Sequence, residues 1–263
     1  MSGAPLRIER LGRTAVLTFD NPPAHTLDAA GLRELAAQLD ALEAERDIAA
    51  LVLTGAGERF FCAGDDLNMY VGVSPAAARE LTRLLAAVVT RLHGFSGLTV
   101  AAINGWCLGA GLECALACDT RIGEAHARFG LPEGRVGLLP CGGGTATLAA
   151  QVGEGWAKRL ILCGETLDSE TAQRIGLIEA AVAKGASRDA GLALADQAMR
   201  QSPAALAAAK TLIHANWHAP LTEALARERA AFGRLFEAPD AAEGVAAFLE
   251  KREPVWGHLR STQ

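Results

Sequence analysis

Asn104-Gly105-Trp106-Cys107-Leu108-Gly109-Ala110-Gly111-Leu112-Glu113 is the stretch on which the reading of this chain turns. It follows an apolar run over residues 98–103 that reads as a buried strand, and it enters residues 112–118, which read as a helix. A loop of small residues therefore leads from a strand into a helix N-terminus. Unpaired backbone N–H groups and the positive end of the helix dipole are expected at Gly109 and Ala110, with no side chain in the way. Three residues beyond Ala110 stands a carboxylate, Glu113. An anion-stabilising backbone site beside an acid–base side chain suits chemistry on carbonyl compounds.

Working outward, the N-terminal side repeats the same grammar. Residues 6–10 and 14–19 read as strands around Gly12-Arg13, a hairpin. Leu32, Leu35, Leu39 and Leu42 recur at helical spacing between Asp28 and Arg46. Residues 50–54 form a short apolar strand, and the segment from Arg59 to Met69 breaks at Gly64. Ser74-Pro75 opens a helix, as N-cap and first helical residue, whose apolar stripe runs from Leu81 to Leu92. On the C-terminal side, residues 119–123 read as a strand and Gly142-Gly143-Gly144-Thr145 as a helix start. The pattern is strand, strand, helix, repeated with irregular spacers. Beyond about residue 185 it changes: residues 188–201, 203–217, 220–237 and 240–252 read as four helices punctuated by prolines. We therefore expect an α/β core over 1–185 and a helical C-terminal region over 186–263.

Composition bounds the function. The chain has 263 residues, 50% of them hydrophobic, so a sizeable core is available. A net charge of −5 gives no sign of a nucleic-acid binder. No apolar run is long enough to span a membrane, and the first residues lack the plan of a signal peptide. The six cysteines lie in apolar or glycine-rich surroundings without a Cys-x-x-Cys, as expected of buried thiols in a reducing, cytoplasmic compartment. Cys114, Cys118 and His126 lack a fourth ligand at a metal-site spacing, so no metal is expected. The glycine run at 142–144 lacks the Lys-Ser/Thr of a P-loop, which leaves a tight turn with close packing. Gly-x-Ser-x-Gly is absent, which disfavours a Ser/His/Asp hydrolase. Two carboxylates remain. Glu113 lies among apolar and small residues, so a buried charge there needs a partner or a task. Glu133 follows Pro132 and reads locally as a solvated loop residue.

Four segments together resemble the signatures of the enoyl-CoA hydratase/isomerase (crotonase) family. They are residues 61–67 (Phe-Cys-Ala-Gly-Asp-Asp-Leu), 104–113, 129–133 (Phe-Gly-Leu-Pro-Glu) and 137–145, and the similarity extends over about residues 6–257. The resemblance implies a crotonase-like superhelix of strand–strand–helix turns with a C-terminal helical region that builds trimers or dimers of trimers. It implies an acyl-CoA thioester as substrate, with no separate cofactor. The backbone N–H groups of Asp65 and Ala110 would hold the thioester oxygen. Glu113 would take a proton from water attacking C3, and Glu133 would deliver a proton to C2, giving a 3-hydroxyacyl-CoA. Main-chain groups around Ala24, His25, Ala63, Gly64, Asp66, Leu67, Asn68 and Gly109 would hold CoA, with Phe232 near the adenine and Lys251 near a phosphate. Retention of both glutamates favours hydration over double-bond isomerisation, decarboxylation or thioester hydrolysis. A non-catalytic CoA- or RNA-binding member is the reading from another class.

Three departures qualify the resemblance. Asp65 stands where many hydratases have Ala; an inward carboxylate would oppose enolate charge, so its side chain is expected to point away or meet a cation. Ala110 replaces a common glycine, and His25 a common Asn. Residues 69–95 are expected to line part of the acyl pocket.

Overall fold

The structure, a computed structural model, describes residues 6–45 and 48–256. The expected repeat is its architecture. Strands β1 (Leu6–Leu11) and β2 (Thr14–Phe19) form a hairpin whose two-residue turn places Gly12 at φ 59°. Helix α1 (Ala29–Ala44) follows, its Gly31 N–H capped by Asp28 at 2.7 Å. Its buried residues Leu32, Leu35, Leu39 and Leu42 are those of the sequence pattern.

Three turns of the solenoid come next. The first is β3 (Ala50–Gly55), β4 (Phe60–Cys62) and α2 (Pro75–Gly94); the second is β5 (Leu98–Ile103), β6 (Trp106–Leu108) and α3 (Ala110–Leu116). The third is β7 (Thr120–Glu124), β8 (Arg128–Gly130) and α4 (Gly144–Val152). Each turn gives one strand to each of two sheets. β2, β3, β5 and β7 run parallel in the larger sheet, closed at its edges by β1 and by β10 (Ala180–Val182). β4, β6 and β8 run parallel in the smaller sheet, with β9 (Leu167–Asp168) antiparallel on β8. The main core fills the space between the sheets and the helices α1–α4, with Phe19 meeting Phe61 edge-on at 5.3 Å. Asn104 ties two turns together. Buried, it accepts from Gly55 N–H and donates to the carbonyls of Gly55 and Gly57.

Helices α5 (Glu154–Leu162) and α6 (Ser169–Arg174) lead to the C-terminal helices α7 (Ser187–Met199), α8 (Pro203–Asn216), α9 (Leu221–Leu235) and α10 (Pro239–Glu250). α7 packs on the outer face of the larger sheet, where Ala195 joins Val52, Val100 and Ala102 in a second core. The approach is close: a Cβ on Gly191 would lie 3.2 Å from Val52 Cγ1. α8, α9 and α10 expose large apolar side chains, among them Ile213, Trp217, Phe232, Phe236 and Phe248.

One expectation needs correction. Cys62, Cys107, Cys114 and Cys118 are buried, but Cys141 is half-buried and Cys163, just past α5, is exposed. Apolar neighbours in sequence do not bury a side chain that ends a surface helix.

Candidate active site

The smaller sheet sets the site. Cys62 of β4 pairs with Cys107 of β6, and three residues beyond each lies the corresponding residue of the next loop, Asp65 and Ala110. The two loops touch through glycines at positive φ, Gly64 at 96° and Gly109 at 53°. A Cβ on Gly64 would stand 3.0 Å from Leu108 O and 3.2 Å from Ala110 N, so neither loop could approach the other with side chains there. The Asp65 loop is also paired to residue 27: Leu27 N–H donates to Gly64 O at 2.9 Å and Asp66 N–H to Leu27 O at 2.8 Å. Strand alternation turns the Asp65 N–H to the opposite side. The Ala110 N–H is a first-turn donor of α3, whose N-cap Gly109 offers no side-chain bond.

These groups open on a cavity of about 700 Å³, lined by Thr26, Ala63, Gly64, Asp65, Asp66 and Leu67, by Gly109, Ala110 and Glu113, and by Pro132 to Leu139. Tyr70, Ala78 and Thr82 close one side, as expected of residues 69–95. A larger cleft, about 950 Å³, lies elsewhere, between the core and α8, and holds none of these residues.

Both glutamates reach the cavity, in different surroundings. α3 is buried along its whole length, and Glu113 is 2% exposed. Its Oε1 accepts two backbone N–H bonds, from Gly142 at 2.7 Å and Gly144 at 2.8 Å. The glycine run thus cradles an anion, but the anion is the protein's own carboxylate. Glycine is needed at both positions: a Cβ on Gly142 would lie 3.0 Å from Glu113 Oε2, and one on Gly144 2.9 Å from Oε1. Burial raises the Glu113 proton affinity, and the two N–H donors oppose that rise by stabilising the charged form.

Glu133 begins a short 3-10 turn (Glu133–Val136) after Pro132. It is not the solvated loop residue of the local reading. Both carboxylate oxygens are buried and neither has a hydrogen-bond partner. Oε1 lies 3.5 Å from where a Gly109 Cβ would be, which places it against the α3 start. Burial, with Glu113 and Asp65 adding to it, pushes its pKa up to about 7. Burial raises both acids, but two backbone donors favour the charged form of Glu113 whereas Glu133 is pushed up to about 7, an arrangement suited to a base and an acid in one cavity.

Asp65 departs from expectation. Its side chain meets a phenol, not a cation. Oδ2 accepts a 2.6 Å hydrogen bond from the Tyr70 hydroxyl, and Oδ1 is buried without a partner. Burial raises its proton affinity, and the Tyr70 bond only partly offsets this.

The other sequence candidates are placed as follows. Ala63, Gly64, Asp66, Leu67 and Gly109 line the cavity. Ala24, His25 and Asn68 support it: Ala24 O accepts from Ala63 N–H at 3.0 Å, His25 is buried at φ 56° with its ring Nε2 2.9 Å from Ala56 O, and Asn68 bonds Asp66 Oδ1. Phe232 lies on α9, exposed beside the α8–α9 groove, and Lys251 is exposed just past α10; neither lines the cavity. Gly142 and Gly144 are the site residues that sequence reasoning did not place there, and Tyr70 was expected only among the lining residues 69–95, not as the partner of Asp65. The glycine run itself was the signal for the first two. Among the described residues no group of three or more His, Cys, Asp and Glu could hold a metal ion, and no helix is long and apolar enough to cross a membrane.

Comparison with known proteins adds to this geometry. The sequence model of enoyl-CoA hydratase/isomerase matches residues 10–259. The chain is 38% identical over 95% of its length to 2,3-dehydroadipyl-CoA hydratase of Escherichia coli, covering 97% of that protein. It is 34% identical to the short-chain-enoyl-CoA hydratase of Clostridium acetobutylicum, over 94% of this chain and 95% of that one. Among solved structures, Pseudomonas aeruginosa DspI is 49% identical with a TM-score of 0.93, over 97% of this chain and 98% of that one. An enoyl-CoA hydratase from Bacillus anthracis is 30% identical with a TM-score of 0.91, over 96% and 98%.

Proposed function

The chain belongs to the enoyl-CoA hydratase/isomerase family, and on that premise we propose that it adds water across the double bond of a 2-enoyl-CoA to give a 3-hydroxyacyl-CoA. The observation that carries this reading is the pair of buried carboxyls in one cavity beside two backbone N–H groups, Glu113 held by two backbone donors and Glu133 without a partner.

The steps follow from those groups. The N–H groups of Asp65 and Ala110 hold the thioester oxygen, where negative charge builds as the enolate forms; being fixed, they stabilise it without reorganising. Glu113, whose carboxylate form the Gly142 and Gly144 N–H groups favour, takes a proton from the water that attacks C3. Glu133, carrying a proton near neutrality, delivers it to C2. The two carboxyls share one water, so their titrations are coupled. Addition of water needs only these proton transfers and the oxyanion donors, and no cofactor beyond the CoA of the substrate. Main-chain groups of residues 24–27 and 63–68 hold the CoA. Phe232 and Lys251, remote from the cavity within one chain, would serve it only from a neighbouring copy.

The apolar side chains exposed on α8–α10 support assembly of copies, which we take to be a homotrimer or a dimer of trimers. The six free cysteines fit a reducing, cytoplasmic setting. Sedimentation of the native protein tests the first of these.

The test of the activity is direct. Incubation with 2-butenoyl-CoA and longer 2-enoyl-CoAs should remove the conjugated double bond without releasing free CoA thiol. No hydration at any chain length would overturn the reading, and thiol release in its place would assign thioester hydrolysis. Glu113→Gln and Glu133→Gln should each lower kcat by about 10²–10⁴-fold while CoA thioesters still bind.

A further inference from the structure

Asp65 brings a third carboxyl into a cavity that must accept enolate charge, and its surroundings say how it is tolerated. Tyr70 bonds it directly, and the titratable groups near enough to interact with it electrostatically are the thiols of Cys62, Cys114 and Cys141 and the carboxyls of Glu113 and Glu133. None of these supplies positive charge. Tyr70, the only tyrosine in the chain, sits at the end of the 3-10 turn Leu67–Tyr70 and donates its O–H to Oδ2. Its own pKa is raised by burial and by Asp65, so it stays a phenol and stays a donor. With Oδ2 occupied, a proton on Asp65 belongs on Oδ1, the buried oxygen that has no partner in the free protein. An Oδ1–H is then a hydrogen-bond donor in search of an acceptor, on the very residue whose N–H faces the reacting carbonyl.

We propose that Asp65 works as a neutral carboxylic acid, aligned by Tyr70, that donates through Oδ1 to the thioester oxygen as a third oxyanion donor beside the two backbone N–H groups. The proton stays on Asp65 throughout, so no bond is broken. In this form the side chain adds to the stabilisation of the enolate, whereas an ionised Asp65 would oppose it, with Glu113 nearby. The arrangement resembles other enzymes that keep a carboxylic acid protonated at neutral pH in order to donate. The inference rests on the acyl-thioester reading above.

Three variants test it. Asp65→Asn keeps a donor that cannot ionise, Asp65→Ala removes it, and Tyr70→Phe removes the alignment. Two measurements need no turnover. Difference infrared spectra at neutral pH should show a protonated carboxyl in the wild-type protein that is lost in Asp65→Asn and retained in Glu133→Gln. Acetoacetyl-CoA, a readily enolised 3-keto thioester, should bind Asp65→Ala about 10–100-fold more weakly than wild type, with butanoyl-CoA affinity within about threefold. In turnover, Asp65→Ala should lower kcat by about the same 10–100-fold with little change in KM, Asp65→Asn should recover most of it, and Tyr70→Phe should fall between. A melting temperature near wild type for Asp65→Asn separates these effects from misfolding. An Asp65→Ala enzyme as fast as wild type, or the absence of the infrared band assigned to Asp65, would overturn the proposal. If neither hydration nor any other turnover is found while the infrared and acetoacetyl-CoA results hold, the hydratase reading falls and the donor role of Asp65 stands.

Discussion

Replacing Gly144 by Ala isolates what the glycine cradle does for Glu113. The substitution leaves the Gly144 N–H in place and adds one methyl. That methyl would stand 2.9 Å from Glu113 Oε1, 3.0 Å from Leu131 Cδ1 and 3.0 Å from Pro140 Cβ. These distances are roughly 0.5 Å inside ordinary contact, and fully buried Leu131 on the far side leaves little room for retreat. The carboxylate is the group that must give. Its shift weakens the 2.8 Å bond from residue 144 and strains the 2.7 Å bond from Gly142. A hydrogen bond to a charged group is worth about 1.5–3 kcal/mol, or roughly ten- to a hundredfold in rate if it is what poises the base. A misplacement of this size predicts a loss of similar order. We therefore expect kcat to fall by about 10–100-fold with KM for 2-butenoyl-CoA little changed. The overpacking should cost about 1–3 kcal/mol of stability, a drop of roughly 3–9 °C in Tm. The N–H donors lower the Glu113 pKa, so weakening them raises it. The acidic limb of the pH–rate profile should then move to higher pH. Loss of the double-bond absorbance, followed across pH, measures both effects. Normal kcat and an unmoved acidic limb in a folded Gly144→Ala enzyme would refute the claim that this cradle sets the base.

The remaining predictions concern Glu133, Asn104 and Gly233. Burial raises Glu133 in the folded state, so its contribution to stability is fully present below the ordinary glutamate range and is lost as pH rises toward about 7. Denaturant titrations should show that decline, by no more than about 2 kcal/mol because Glu133 is only partly buried, and Glu133→Gln should flatten it. The rate of hydration should fall over the same upper range, as the acid loses its proton. Asn104→Ala leaves one backbone donor and two carbonyls at residues 55 and 57 without their partner, so urea unfolding should report a loss of about 2–4 kcal/mol. Gly233→Ala, in the last turn of α9 with open space around the added methyl, should raise stability by up to about 0.5–1 kcal/mol and leave kcat unchanged.

Much of this fold was legible because local pattern and final structure agree. The leucines of α1, the Ser74-Pro75 start of α2 and the prolines between the C-terminal helices mark their elements directly. The loop into α3 was legible for the same reason: small residues, then an apolar helix with one acid. Site features were less readable where they depend on contacts across the chain. Glu133 looks solvated from its neighbours, yet the α3 start covers it. The glycines at 142 and 144 announce room for an anion, but the anion is supplied 29 and 31 residues upstream. The Tyr70–Asp65 bond spans five residues through a single 3-10 turn, a spacing with no periodic signature. His25 takes a positive φ where its ring meets Ala56 O, and nothing in its neighbours forecasts that contact.

The equivalence of Asp65 and Ala110 on successive strand loops has a consequence for tolerance to change. The two N–H groups stand where they do because β4 and β6 are neighbours in one ladder, spaced at roughly 4.8 Å like any hydrogen-bonded strands. The gauge of the site is therefore the peptide group, whose N–H every residue but proline keeps. Side chains that point from these loops can be exchanged to suit different acyl groups while the separation of the two backbone N–H groups stays the same. A winding that looks like a way to build a core also acts as a fixed ruler, and the chemistry is read against its marks.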